Sequence, residues 1–152
     1  MKRLTALIPI LTLLAACTQT DGGEWSAYRR LSPARWDSLD GVTFAPDSAT
    51  PPELRNHPAR AILTLRYPRH SGVASVPLVL VTESDSEQEH SDTISYPLPR
   101  KAKGDYGVLE YSDTIQLKNI PEGWQMTVSP ATTLTPNPLT DISLRIISAD
   151  SR

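Results

Sequence analysis

The chain of 152 residues contains one cysteine, Cys17, and it stands directly behind Leu14-Ala15-Ala16. A thiol placed after small residues at the end of an apolar run matches a bacterial lipobox, in which the thiol is acylated and the chain is cut before it. The preceding residues fit that chemistry. Met1-Lys2-Arg3 is a basic start, and Leu4 to Ala16 carries no charge. A helix needs about 20 apolar residues to cross a bilayer core, so this segment is too short to span and fits the apolar region of a secretory signal peptide. The expectation is that residues 1–16 are a removed lipoprotein signal peptide. Lipid on Cys17 then binds the membrane, each buried CH₂ contributing about 0.8 kcal/mol.

Other groups could do chemistry, and each has a plainer reading. Glu83-Ser84-Asp85-Ser86-Glu87-Gln88-Glu89-His90 gathers carboxylates that a hard cation such as Ca²⁺ could use. It lacks the glycine of a tight coordination loop, and a solvated hairpin tip is the favoured reading. His57, His70 and His90 fall in expected loops and are not spaced as a metal pair. No metal site and no cofactor is assigned. Nucleophile elbows, glycine-rich phosphate loops and H-E-x-x-H patterns do not occur in the sequence. A glycosidase-like carboxylate pair has no nominee either, because alternation places most carboxylates outside the core. Trp25, Tyr28 and Trp36 are the remaining candidates. They could stack on a sugar as a ligand-binding platform, or pack the first segment onto the domain as buried aromatic area. Packing is favoured, with the platform kept as the alternative.

The elements that would position these groups are strands. Fourteen prolines against seven glycines disfavour long helices, because each proline removes a backbone donor and clashes with the preceding turn. Apolar residues alternate with period two instead. Leu109, Tyr111, Ile115 and Leu117 share a face, with Asp113 breaking the pattern. Leu63, Leu65 and Tyr67 form a second row; Ile94, Tyr96 and Leu98 a third; Trp124, Met126 and Val128 a fourth; Ile142, Leu144 and Ile146 a fifth. Val76 to Val81 is apolar on both faces apart from Pro77, which predicts a strand that is central or lies under a covering loop, paired weakly on one side. With Val42 to Phe44 the count reaches seven to eight short strands. Strands with one polar face and no helices to cover them predict an all-β antiparallel sandwich, of jelly-roll or immunoglobulin-like order. Asn119 to Gly123 reads as a hairpin turn between two of these strands. Thr18 to Glu24 is short, polar and glycine-containing, so residues 17–24 read as acylated Cys17 and a flexible tether, and residues 25–152 as one domain.

Charge narrows the partners. The formal net charge is −2, and loss of Lys2 and Arg3 with the signal makes it −4, which leaves no electrostatic footprint for nucleic acid. The membrane, through the lipid on Cys17, is one expected partner. Asp21 is the single acidic residue of Thr18-Gln19-Thr20-Asp21, which favours an outer-membrane anchor facing the periplasm over one displayed on the surface.

A family resemblance adds to this reading. Tyr28, Trp36, Phe44 and Asp47, then Leu65-Arg66-Tyr67-Pro68, Leu78-Val79-Leu80, Asp92-Thr93-Ile94, Gly104, Tyr106-Gly107, Gly123-Trp124 and the closing Pro138-Leu139-Thr140-Asp141-Ile142-Ser143-Leu144-Arg145-Ile146 resemble the GldH-type gliding-motility-associated lipoproteins of Bacteroidota. The likeness covers nearly all of the chain after Cys17, in scattered residues. Ser129 to Thr133, Asp141 and Arg69-His70-Ser71 depart from the family pattern and mark a diverged member. The resemblance implies a non-enzymatic envelope lipoprotein with protein partners, an accessory or assembly component of gliding or the associated secretion machinery. The alternative is a module binding glycan or another nutrient.

Lipidation is directly testable. Cells fed an alkyne fatty acid should label the wild-type protein, and Cys17→Ala should lose both the label and membrane fractionation. A labelled Ala variant refutes the lipobox.

Overall fold

Period-two alternation becomes eight strands in the computed structural model, which describes residues 23–46, 52–55, 57–85, 90–101 and 107–150. They are β1 (Glu24–Arg30), β2 (Val42–Phe44), β3 (Ala59–Pro68), β4 (Ser75–Glu83), β5 (His90–Pro97), β6 (Val108–Leu117), β7 (Gln125–Pro130) and β8 (Asp141–Ser148). One 3₁₀ turn spans Pro52–Leu54. The strands form two antiparallel four-stranded sheets, ordered β1-β8-β3-β6 and β2-β7-β4-β5. That order is the jelly roll, so the sandwich expectation holds and its topology is decided.

The core lies between the sheets, where the expected rows meet. Ala59, Ala61, Leu63, Leu65 and Tyr67 of β3 are each almost fully buried, as are Ile142, Leu144 and Ile146 of β8. Facing them, β4 and β7 contribute Val76, Leu78, Met126 and Val128. Trp124 is buried just before β7, on the same side as Met126. β4 is central, between β5 and β7. Its Pro77 is tolerated because the β4–β7 ladder ends at Leu78↔Pro130. The Pro77 carbonyl accepts from Ala131 N at 3.0 Å beyond that ladder, so the missing N–H interrupts no strand pairing on that side.

Three expectations are corrected. Asn119 to Gly123 is not a hairpin: β6 pairs with β3, whereas β7 lies between β2 and β4, so the segment crosses from one sheet to the other. Ile120 plugs this crossing, nearly fully buried and bridged to Arg55. Gly123 adopts φ +70°, and a Cβ there would strike the Asp85 carboxylate. Second, the segment before Val42 contains a strand, β1, paired with β8 along all seven residues. Its alternation is faint in sequence because only Trp25 among its inward positions is large and apolar. Third, β1 takes in Glu24, which the tether reading had set outside the domain.

The strand registers sort every connection to one of two ends. β2, β4, β6 and β8 finish, and β3, β5 and β7 start, at the end where β1 begins, with residues 118–124 connecting two of them there. Residues 31–41, 69–74 and 131–140 connect strands at the opposite end, where residues 98–101 also leave β5. There Trp36 and Leu134 exchange backbone hydrogen bonds of 3.0 and 2.9 Å. Asn137, itself buried, donates to Ser32 O at 3.0 Å and accepts from Leu139 N at 3.0 Å. These contacts lace two long loops over the far end of the core.

Between the edge strands, Tyr96 of β5 meets Tyr111 of β6 with ring centroids 6.2 Å apart. The Tyr96 hydroxyl is buried without a well-formed hydrogen bond, beside Asp113, the residue that interrupts the β6 alternation. Burial first, and then the Asp113 carboxylate, push its phenol well above the ordinary 10.0. Tyr67 shifts the same way through burial, and donates to Pro99 O at 2.8 Å. A raised folded value favours the protonated form in the fold. The stability it supports is therefore complete below about pH 10 and declines as pH rises beyond that. Tyr96→Phe removes the titrating hydroxyl and its interaction with Asp113. The variant should lose stability less steeply than wild type above about pH 10. Denaturant midpoints across that range check it; an unchanged alkaline slope overturns the assignment.

Candidate functional site

The outer face of the β1-β8-β3-β6 sheet is built from the residues that alternate away from the core. Register places Tyr28, Ser143, Thr64 and Ser112 in one row across the four strands. The next row holds Ser26, Arg145, Ile62 and Thr114. All of these but Thr114 line a hollow of about 540 Å³. Thr64 Oγ1 and Ser112 Oγ lie 2.9 Å apart on its floor. Arg145 Nε stands 3.6 Å from Glu24 at one side. At the other side Arg66 bridges Glu110 at 3.3 Å and Asp141 at 3.5 Å. These cross-strand pairs hold the cations flat against the sheet, while Tyr28 stands on the edge strand, 68% exposed.

Hydroxyl donors and acceptors, a guanidinium and an exposed phenol ring form a surface suited to a polyhydroxylated ligand. The ring supplies an apolar face for stacking and the hydroxyls supply hydrogen bonds. Of the three aromatic candidates only Tyr28 belongs to this surface. Trp25 lies on the opposite face of β1, packed against the core, because residues three apart on a strand point to opposite sides. Trp36 is 4% exposed at the far end, its indole N–H donating to Asp40 O at 2.7 Å. Trp25, Tyr28 and Trp36 therefore do not assemble into one platform. Thr64, Ser112, Ser143 and Arg145 were missed as site residues. Alternation placed Thr64 and Arg145 on outward faces, but nothing in the sequence says that their strands are neighbours.

The remaining candidates are dispersed. His57 lies in a loop at the tether end and His70 in the turn after β3 at the other. His90 opens β5, its Nε2 2.9 Å from Asp92. Glu83 accepts from Gln125 Nε2, and the Asp85 amide donates to Glu122 O at 3.3 Å. Residues 86–89 of the acidic segment, and Cys17, lie outside the described residues. Among the described residues no group of His, Cys, Asp and Glu is arranged to hold a metal ion.

The fold and the hollow define a jelly-roll sandwich with a polar, hydroxyl-lined sheet face. No family model and no curated protein sequence matches the chain. Similar solved structures include CBM35 from Cellvibrio japonicus Abf62, at 14% identity over 84% of this chain and 99% of that one, with a TM-score of 0.39. Another is Eiger TNF from S. frugiperda, at 14% identity over 82% of this chain and 96% of that one, with a TM-score of 0.34. Neither assigns a ligand or an activity to this chain.

The two placements of aromatic residues separate by stability. Trp36→Ala should cost about 3–5 kcal/mol, as for a large aromatic in a packed core. Tyr28→Ala should stay within about 0.5 kcal/mol of wild type, as for an exposed site. Thermal melts of the two variants check this, and a Tyr28→Ala variant as unstable as Trp36→Ala would show that the ring is structural.

Proposed function

We propose that the chain is an outer-membrane lipoprotein, anchored through Cys17 and facing the periplasm. In this reading it serves gliding motility or the associated secretion machinery as an accessory or assembly component, and it works by binding protein partners rather than by catalysis. The observation that carries the reading is the position of β1. This strand begins at Glu24, seven residues after Cys17, and pairs along its whole length with β8. An anchor at Cys17 would thus enter the sandwich at one end and leave the opposite end and the sheet faces open to partners.

The GldH resemblance supports the same reading in a definite way. Phe44, Leu65, Tyr67, Leu78, Leu80, Trp124, Leu139, Ile142, Leu144 and Ile146, which carry much of it, are all buried. These residues help to build the sandwich, and the rest of the likeness lies outside the core. Deleting the gene should reduce colony spreading or export of the machinery's cargo. Wild type should restore it and Cys17→Ala should not; unaffected spreading and export would refute the proposal.

A second reading rests on the hollow beside Tyr28: a lipid-anchored module for glycan. Stacking on one aromatic ring is worth about 0.5–1.5 kcal/mol. On a glycan array, Tyr28→Ala should therefore weaken any bound sugar by several-fold, and an array without wild-type binding dismisses this reading.

A further inference from the structure

The two ends of the sandwich carry opposite charge. At the tether end the loops hold Glu53, Asp85, Glu122 and Asp150, against Arg55 and Lys118. At the far end the loops hold Arg69, Arg100 and Lys101 against Asp40, all exposed, and none of the three cations forms an ion pair among the described residues. Arg35 is there too but is matched: its guanidinium lies 2.5 Å from Asp37. The Leu39 amide and Arg35 together hold that carboxyl below its ordinary range.

A second hollow opens at the same end, with Arg69 next to its lining residues Pro68 and His70. It has a volume of about 490 Å³ and lies between the turn after β3 and residues 133–138, lined by Pro68, Val73, Leu134 and Pro136 among others. Val73 is 42% exposed in its wall. A backbone contact brings the other two cations towards it. Leu98 N donates to Ala74 O at 2.8 Å, which sets the loop bearing Arg100 and Lys101 against the turn that bears Arg69.

From this arrangement we infer that the far end of the sandwich docks an acidic segment of a partner protein, with one apolar side chain of that segment seated in the hollow between Val73 and Leu134. The occupant follows from complementarity. A bare polyanion would use the cations and leave the apolar wall in water, whereas an acidic segment with an apolar anchor satisfies both. Charged rims of this kind govern association rate and choice of partner more than final affinity. That the partner is a protein of the envelope rests on the anchored, accessory reading above.

The test uses the full-length lipoprotein purified in detergent and a fluorescent heptapeptide of Glu flanking a central Leu, read by anisotropy. Binding should appear at low ionic strength and weaken by about tenfold towards physiological salt, as exposed charges are screened. The R69E/R100E/K101E variant should lose about tenfold in affinity, with its melting temperature unchanged. Replacing the peptide's Leu by Ser should weaken it as well, and replacing its Glu by Ser should abolish binding. Failure to bind at low salt, or equal binding by the triple variant, overturns the inference. Equal binding of the Leu-free peptide, or of polygalacturonate, also overturns it, in favour of a plain polyanion site. Peptide binding does not depend on lipid or on motility, so normal spreading in a deletion strain would remove the accessory role and leave this docking site standing.

Discussion

Burial of the five inward residues of β3 is the interaction on which the rest of the molecule depends. Ala59, Ala61, Leu63, Leu65 and Tyr67 lie along one face of the longest central strand, and each is 1% exposed or less. β3 pairs on both sides, with β8 and with β6, so its register sets the placement of both neighbours. A slip of one residue would turn all five side chains to solvent. With a single cysteine in the chain, no internal disulfide can substitute for this row. The second sheet exists to cover it, and the alternation of strands between sheets follows from supplying both halves of the core from one chain.

That alternation has a consequence for function. Of the seven connections, only the β4–β5 turn stays within a sheet; the other six cross between sheets and collect at the two ends. Sheet faces are therefore regular and polar, while the ends are irregular and can be specialised separately. The tether end is acidic and receives the chain from Cys17. The far end is closed by Trp36 and Asn137, which hold the 31–41 and 131–140 loops on the core by side chain–backbone hydrogen bonds. At the same end, Arg69 N donates to Gly107 O and Leu98 N to Ala74 O, each at 2.8 Å, and backbone held in this way presents exposed cations such as Arg69 and Arg100 with less loss of entropy on binding.

The sheet face and the far end offer different chemistry. The face bearing Tyr28 is lined by short hydroxyl side chains, and its guanidinium groups are held by Glu24, Glu110 and Asp141. It suits a neutral, hydroxyl-rich ligand. Arg69, Arg100 and Lys101, without ion pairs among the described residues, share the far end with a partly apolar hollow and suit an acidic protein segment. A small sandwich can thus keep a carbohydrate-like surface and a protein-like surface apart, because each is made by a different part of the fold.

Much of the fold was legible in the residues alone. The strand-only architecture and the inward rows of β3, β6, β7 and β8 follow from local patterns, because burial on a strand is written with period two. β1 was illegible because its inward side offers one large apolar residue, and its pairing with β8 lies more than a hundred positions away along the chain. The 119–123 connection was misread for a related reason. A turn sequence shows where the chain bends, but whether the next strand pairs with the last one or crosses to the facing sheet is decided by which partners complete the core. The same limit applied to the sites. Tyr28, Thr64, Ser112 and Ser143 become one surface only through the β1-β8-β3-β6 order, and Arg69 meets Arg100 only where distant loops close one end of the sandwich. Local chemistry determined which residues turn inward; the long-range pairing that fills both sheets determined which of the outward ones meet.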